Sequence, residues 1–120
     1  MPSASPCRVN LAMTLAQESD VLLLDEPTVH LDPAHQIATL QLLRMLTAGR
    51  GLAVCAVLHD LNLASTFASR IVAIADGRIA RDGPPKDVLS PDLVRAVFGD
   101  ALEVVARDGH PAILPRVLRR

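Results

Sequence analysis

One hundred and twenty residues carry 12 basic and 13 acidic side chains, a formal net charge of -1, and 50% of them are hydrophobic. That is one domain's length, with ample material for a core and no room for a second. The charge balance excludes a broad electrostatic surface for nucleic acid or anionic lipid, though not a local anion site. Aromatic residues make up only 2%, Phe67 and Phe98, so the core must be aliphatic. Cys7 and Cys55 match no metal or redox spacing, which points to a reduced, cytosolic setting. Cys55 lies inside an apolar run and reads as a small buried hydrophobe. The longest strictly apolar run, residues 52–58, is far short of the roughly 20 a spanning helix needs. Asn10, Thr14 and Gln17 interrupt the only stretch that could serve as a secretory signal. The chain reads as soluble.

The first seven residues, rich in Pro and Ser, read as unstructured. Residues 8–18 read as a short helix with Val9, Ala12, Met13 and Ala16 on one stripe. Residues 21–24 form a continuous apolar run suited to a parallel strand buried on both faces. Asp25, Glu26 and Pro27 end it. Asp32 can cap the next helix, Pro33 fits its first position, and Gly49 and Gly51 are expected past its last turn. Residues 52–58 form a second apolar strand, ended by His59 and Asp60. Two such strands joined by a helix make a right-handed βαβ unit.

A helix at residues 61–69 leads to a third strand, 71–75, expected to extend the same sheet. Asp76-Gly77 is a hairpin turn that pairs this strand with residues 78–81. Residues 82–85 read as a loop. Ser90 caps a last helix that starts at Pro91 and stops at Gly99. Residues 100–120 hold a second hairpin around Asp108-Gly109 and a frayed basic end. The fold class is therefore α/β, with parallel strands, a crossover helix and a C-terminal antiparallel hairpin.

The segment VLLLDEP carries the strongest chemical signal. In open α/β sheets ligands bind beyond the carboxyl ends of the strands, and here a parallel strand ends in two adjacent carboxylates. Asp25 can enter a Mg²⁺ shell, and Glu26 can orient and deprotonate a water. An isolated acid pair would simply mark a surface turn. This pair is followed by Leu31-Asp32-Pro33 and by a second strand whose tip carries His59, and a βαβ unit brings those tips side by side. His30 and His35 stand near the helix start without an evident third ligand, which suits solvated side chains.

VLLLDEPTVHLD followed by AVLHDLNLA resembles the C-terminal half of an ABC-type ATPase, the nucleotide-binding subunit of ABC transporters. The resemblance implies a truncated P-loop NTPase-like half-domain, with DEP as Walker B, residues 28–32 as D-loop and His59 as switch histidine. It implies Mg²⁺ binding by Asp25, a catalytic base in Glu26, a γ-phosphate contact from His59 and an ATP-dimer contact from Asp32. HDLNLAS and IVAIADGRIARDGPPKDVLSPDLVRAVFG are similar to subunits that drive uptake of iron-siderophores, haem and cobalamin. The implied cofactors are ATP and Mg²⁺. The implied partners are a membrane permease subunit and a second ATPase subunit, with no nucleic acid and no direct membrane span. The implied place is the cytoplasmic side of the membrane, held there by the permease.

Three family motifs are missing. The phosphate-binding loop G-x-x-x-x-G-K-[ST] needs backbone amides and a lysine. The single lysine, Lys86, follows Gly83-Pro84-Pro85, where prolines remove donors. A Q-loop and the LSGGQ signature are absent too; residues 2–5 stand where the signature is expected. The whole chain, 1–120, accordingly reads as the C-terminal portion of a nucleotide-binding domain, incompetent in hydrolysis alone. A second reading is a non-catalytic interaction module that binds a permease or a full-length ATPase. An ATPase head from DNA repair would lead into long coiled coils, and no heptad pattern supports that.

Overall fold

Hydrophobic periodicity and cap chemistry set nearly every element boundary. The computed structural model describes residues 20–117, the side chain of Arg50 aside. The expected helix at 8–18, the unstructured start at 1–7 and the signature position at 2–5 lie outside those residues. The chain divides into two units, Met1–His59 and Asp60–Arg120.

In the first unit, β1 (Val21–Asp25) and β2 (Ala53–Val57) flank α1 (Pro33–Arg50). The strands are parallel, in a register running from Val21 opposite Ala53 to Asp25 opposite Val57. Helix α1 begins as its sequence demands. Asp32 adopts an extended backbone and accepts a hydrogen bond from the His35 amide, with Pro33 in the first turn. It ends at Gly51, whose φ of 66° is the left-handed conformation that glycine tolerates. Gly49, expected beyond the helix, lies inside it. Leu22, Leu40, Leu43 and Leu52 are buried, and burying each such side chain is worth about 1.5–3 kcal/mol.

The expectation that β1 and β2 are covered on both faces is not met. Leu22 is 1% exposed while its neighbour Leu23 is 74% exposed. Val21 and Val57 are also open, and Cys55 is exposed rather than buried. Side chains alternate across a strand, and Leu23 lies opposite Cys55 in the register. A single crossover helix can cover only one face of such a pair.

The second unit is built from hairpins. Helix α2 (Leu61–Phe67) is capped by Asp60, which accepts from the amides of Asn62 and Leu63. Strands β3 (Ile71–Ala75) and β4 (Arg78–Gly83) pair antiparallel, with a bulge between Ala73 and Ile74. Their turn places Asp76 at φ 53° and Gly77 at φ 72°, the sign a two-residue hairpin loop requires at both positions. The hairpin was expected to join the parallel sheet; instead β3 and β4 form a two-stranded sheet of their own. A two-residue turn gives β3 a local partner, and its ladder is completed there.

The expected loop at 82–85 is also replaced. Asp82 and Gly83 finish β4, and Pro85 opens the one-turn helix α3 (Pro85–Val88). A bidentate ion pair from Arg70 to Asp82 (2.7 and 2.6 Å) holds the hairpin ends together, and proline's fixed φ suits the first helical turn. Helix α4 (Pro91–Phe98) starts at the Ser90 cap, as read from the sequence. A 3₁₀ turn, Gly99–Ala101, then leads into β5 (Leu102–Arg107) and β6 (His110–Pro115), an antiparallel hairpin.

Leu89, Val94 and Ile113 form the core of this unit, with Leu61, Ile71, Leu102 and Val104 packed against it. The last hairpin is fastened to α2 by polar contacts. The Asn62 side chain donates to the carbonyl of Ile113 (3.0 Å) and accepts from its amide (2.7 Å). Ser65, 1% exposed, donates to the carbonyl of Pro111 (2.5 Å).

Candidate functional site

The parallel register that places Asp25 opposite Val57 sets the site. The Glu26 amide donates to the Val57 carbonyl (2.9 Å), so the ladder runs one residue past β1. There the chain turns sharply. The Val29 amide donates to the Glu26 carbonyl and the Leu31 amide to the Thr28 carbonyl, both at 3.2 Å. Glu26 and His30 take left-handed backbone conformations, φ 50° and 67°, which cost a non-glycine residue roughly 1–2 kcal/mol each. Pro27 and Thr28 are buried beneath this turn.

His59 lies two residues beyond β2. Its Nε2 is hydrogen-bonded to Glu26 Oε1. The side chains are open to water, His59 at 77% and Glu26 at 36%. Solvent weakens such a pair as a source of stability, so its value lies in positioning. With Nε2 protonated, the imidazole donates to the carboxylate and Nδ1 is left as acceptor.

Asp25 has no side-chain hydrogen bond among the described residues. Mg²⁺ takes oxygen ligands and is usually held by one or two carboxylates together with substrate phosphates rather than by an all-protein cage. An exposed, unengaged carboxylate at a strand tip fits that requirement. No group of three or more His, Cys, Asp or Glu side chains gathers as a metal cage among the described residues.

Asp32 stands at the far end of the turn. It accepts from the His35 amide and from His35 Nδ1, both at 2.8 Å. The backbone bond and then the ring bond hold its carboxyl below the ordinary carboxylate range. Its cap role is therefore realised. The structure brings Glu26 and His59 into contact, leaves Asp25 free beside them, and ties Asp32 to His35.

Two contacts escape the sequence reading. His35 engages Asp32, and its place three residues after the cap is a recoverable signal. Gln36 donates its side-chain amide to the Thr28 carbonyl (3.2 Å); nothing in its spacing announces that bond.

Acids and a histidine stand at adjacent tips of two parallel strands joined by a crossover helix, and the solved structures that this α/β fragment resembles are ABC ATPase domains. No protein-family model matches the chain. It is 48% identical over 111 residues to the hemin import ATP-binding protein HmuV of Rhodococcus jostii, covering 91% of this chain and 38% of that protein. It is 50% identical over 101 residues to the cobalamin import ATP-binding protein BtuD of Halobacterium salinarum, covering 84% of this chain and 25% of that protein. A chain of an inward-facing ABC transporter described as of metal-chelate type superposes with a TM-score of 0.80 at 22% identity, over 95% of this chain and 48% of that one; at that identity the likeness is one of fold. The chain belongs to the family of ABC-transporter ATP-binding subunits and spans 38% and 25% of the length of the hemin and cobalamin relatives.

Proposed function

We propose that residues 1–120 are the C-terminal portion of an ABC-type nucleotide-binding domain that serves an importer of iron-siderophore, haem or cobalamin. The observation that carries this reading is the Glu26–His59 contact at the tips of two parallel strands. Asp25 would hold Mg²⁺ together with the phosphates of ATP; when bound, ATP supplies the γ-phosphoryl group as electrophile. Glu26 would orient a water and take its proton, while His59 holds the Glu26 carboxylate in place and would contact the γ-phosphate of bound ATP. Asp32, at the exposed end of the turn, meets a second ATPase subunit.

Phosphoryl transfer depends on positioning and charge stabilisation, to which a phosphate loop contributes heavily. The described residues carry no such loop, and no helix among them is long and apolar enough to cross a membrane. The chain by itself is expected to leave ATP intact. The proposal includes a membrane permease as partner and a place on the cytoplasmic side of the membrane; the hemin and cobalamin relatives are import ATP-binding proteins.

The test is a chimera in which the preceding portion of the Rhodococcus hemin relative is fused ahead of this chain. ATP hydrolysis is expected, with Glu26→Gln and His59→Ala each lowering kcat by about 10² or more. An active chimera indifferent to both substitutions overturns the assignment of the site. Tight, nucleotide-independent binding of the chain to a permease, with an inert chimera, would favour the interaction module.

A further inference from the structure

We infer that Gln36 is a positioning residue: its side-chain amide clamps the Thr28 carbonyl and so fixes the turn that presents Glu26 to His59. The turn after β1 is made from weak parts. Its two internal backbone hydrogen bonds are long, at 3.2 Å. It also contains two non-glycine residues, Glu26 and His30, at positive φ. A segment built this way relaxes unless its surroundings over-determine it.

Those surroundings are few. The Glu26 amide ties the turn to β2 through Val57. At the other end, Asp32 caps α1, and the Gln36 amide nitrogen donates to the Asp32 carbonyl (2.9 Å) as the first helical bond. Between these anchors, the Gln36 side chain supplies the one side-chain bond from α1 to the middle of the turn among the described residues. Its acceptor belongs to Thr28, which is 6% exposed, so the carbonyl has little water to turn to. The carbonyl also accepts from the Leu31 amide, so the Gln36 bond fills its second lone pair and ties that backbone turn to the helix. The rigid helix thus reaches back one turn beyond its own cap and holds the loop whose first residue is Glu26.

The inference gives the hydrolytic reading a further part, yet its test needs neither nucleotide nor activity. The full chain is compared with Gln36→Met, Gln36→Glu and Glu26→Ala by amide hydrogen exchange and by NMR of the His59 ring. Gln36→Met is expected to speed exchange at Val29 and Leu31 at least tenfold, while the β1–β2 amides stay within twofold. The His59 ring resonances should move at least halfway to those of Glu26→Ala, which reports a histidine without its carboxylate partner. Gln36→Glu should behave like Gln36→Met when ionised and regain protection at Val29 and Leu31 as its carboxyl protonates and becomes a donor. Unchanged exchange at the turn together with an unmoved His59 in Gln36→Met overturns the inference. So does a uniform loss of protection across β1 and β2 in both Gln36 variants, since that would make the residue a general stabiliser. An inert chimera would sink the hydrolytic reading and leave these measurements standing.

Discussion

The two units solve the same problem, pairing a pair of strands, in opposite ways. In the second, β3 with β4 and β5 with β6 are joined by two-residue turns, and a small core of Leu89, Val94 and Ile113 lies among its own elements. In the first, β1 and β2 meet only after an intervening helix, and one face of the pair stays open at Val21, Leu23, Cys55 and Val57. Hairpins close locally at low entropic cost; a parallel pair must first close a long loop. Both units leave apolar strand residues open, Leu23 and Val57 in the first and the paired Ile74 and Ile79 in the second; what sets the first apart is that its parallel tips carry the candidate site. Parallel tips bring acid and histidine together, which no hairpin turn would do at one edge.

The sharpest way to break this comparison is inside β1. Leu22→Ala is expected to cost about 2–5 kcal/mol, and Leu23→Ala, one residue away, to stay within about 0.5 kcal/mol. Urea unfolding midpoints decide it; equal losses would mean that both faces of β1 are covered.

A smaller effect is expected in the second unit, where polar pins replace some of the packing. Asn62→Ala strands both the amide and the carbonyl of Ile113, at a cost of about 1–3 kcal/mol. Exchange at β6 should rise well before exchange at β3 and β4. If all three strands loosen together, the hairpins are one cooperative block and the contrast drawn here is too fine.

The smallest effect is a pH dependence that both units share. Asp32 is held below its ordinary range by hydrogen bonds from His35, and Asp82 by its pairing with Arg70. Carboxyls depressed in the folded state add stability that is fully present above the unfolded value, near about 4, and is lost as pH falls through the lower folded value. Asp32→Asn and Asp82→Asn should each flatten part of the acid limb of the stability curve below about pH 4 and leave the neutral region nearly unchanged. A limb untouched by both substitutions would show that neither pairing persists in solution.

Much of this was legible in the residues. Asp32-Pro33 and Ser90-Pro91 announce helix starts because a cap and its proline act within three or four residues. Asp76-Gly77 and Asp108-Gly109 announce hairpins because the required positive φ is a property of those residues themselves. VLLLDEP and the later His59 announced a shared rim, since a single crossover helix leaves two parallel strands with adjacent tips. Only tertiary structure decided that β3 pairs with β4 alone, that Leu23 and Cys55 face outward, that residues 85–88 wind into a helix, and that Gln36 reaches Thr28. Such outcomes depend on which surfaces are present to cover a face or complete a ladder. An aliphatic run reads the same in sequence whether one side of it is buried or two.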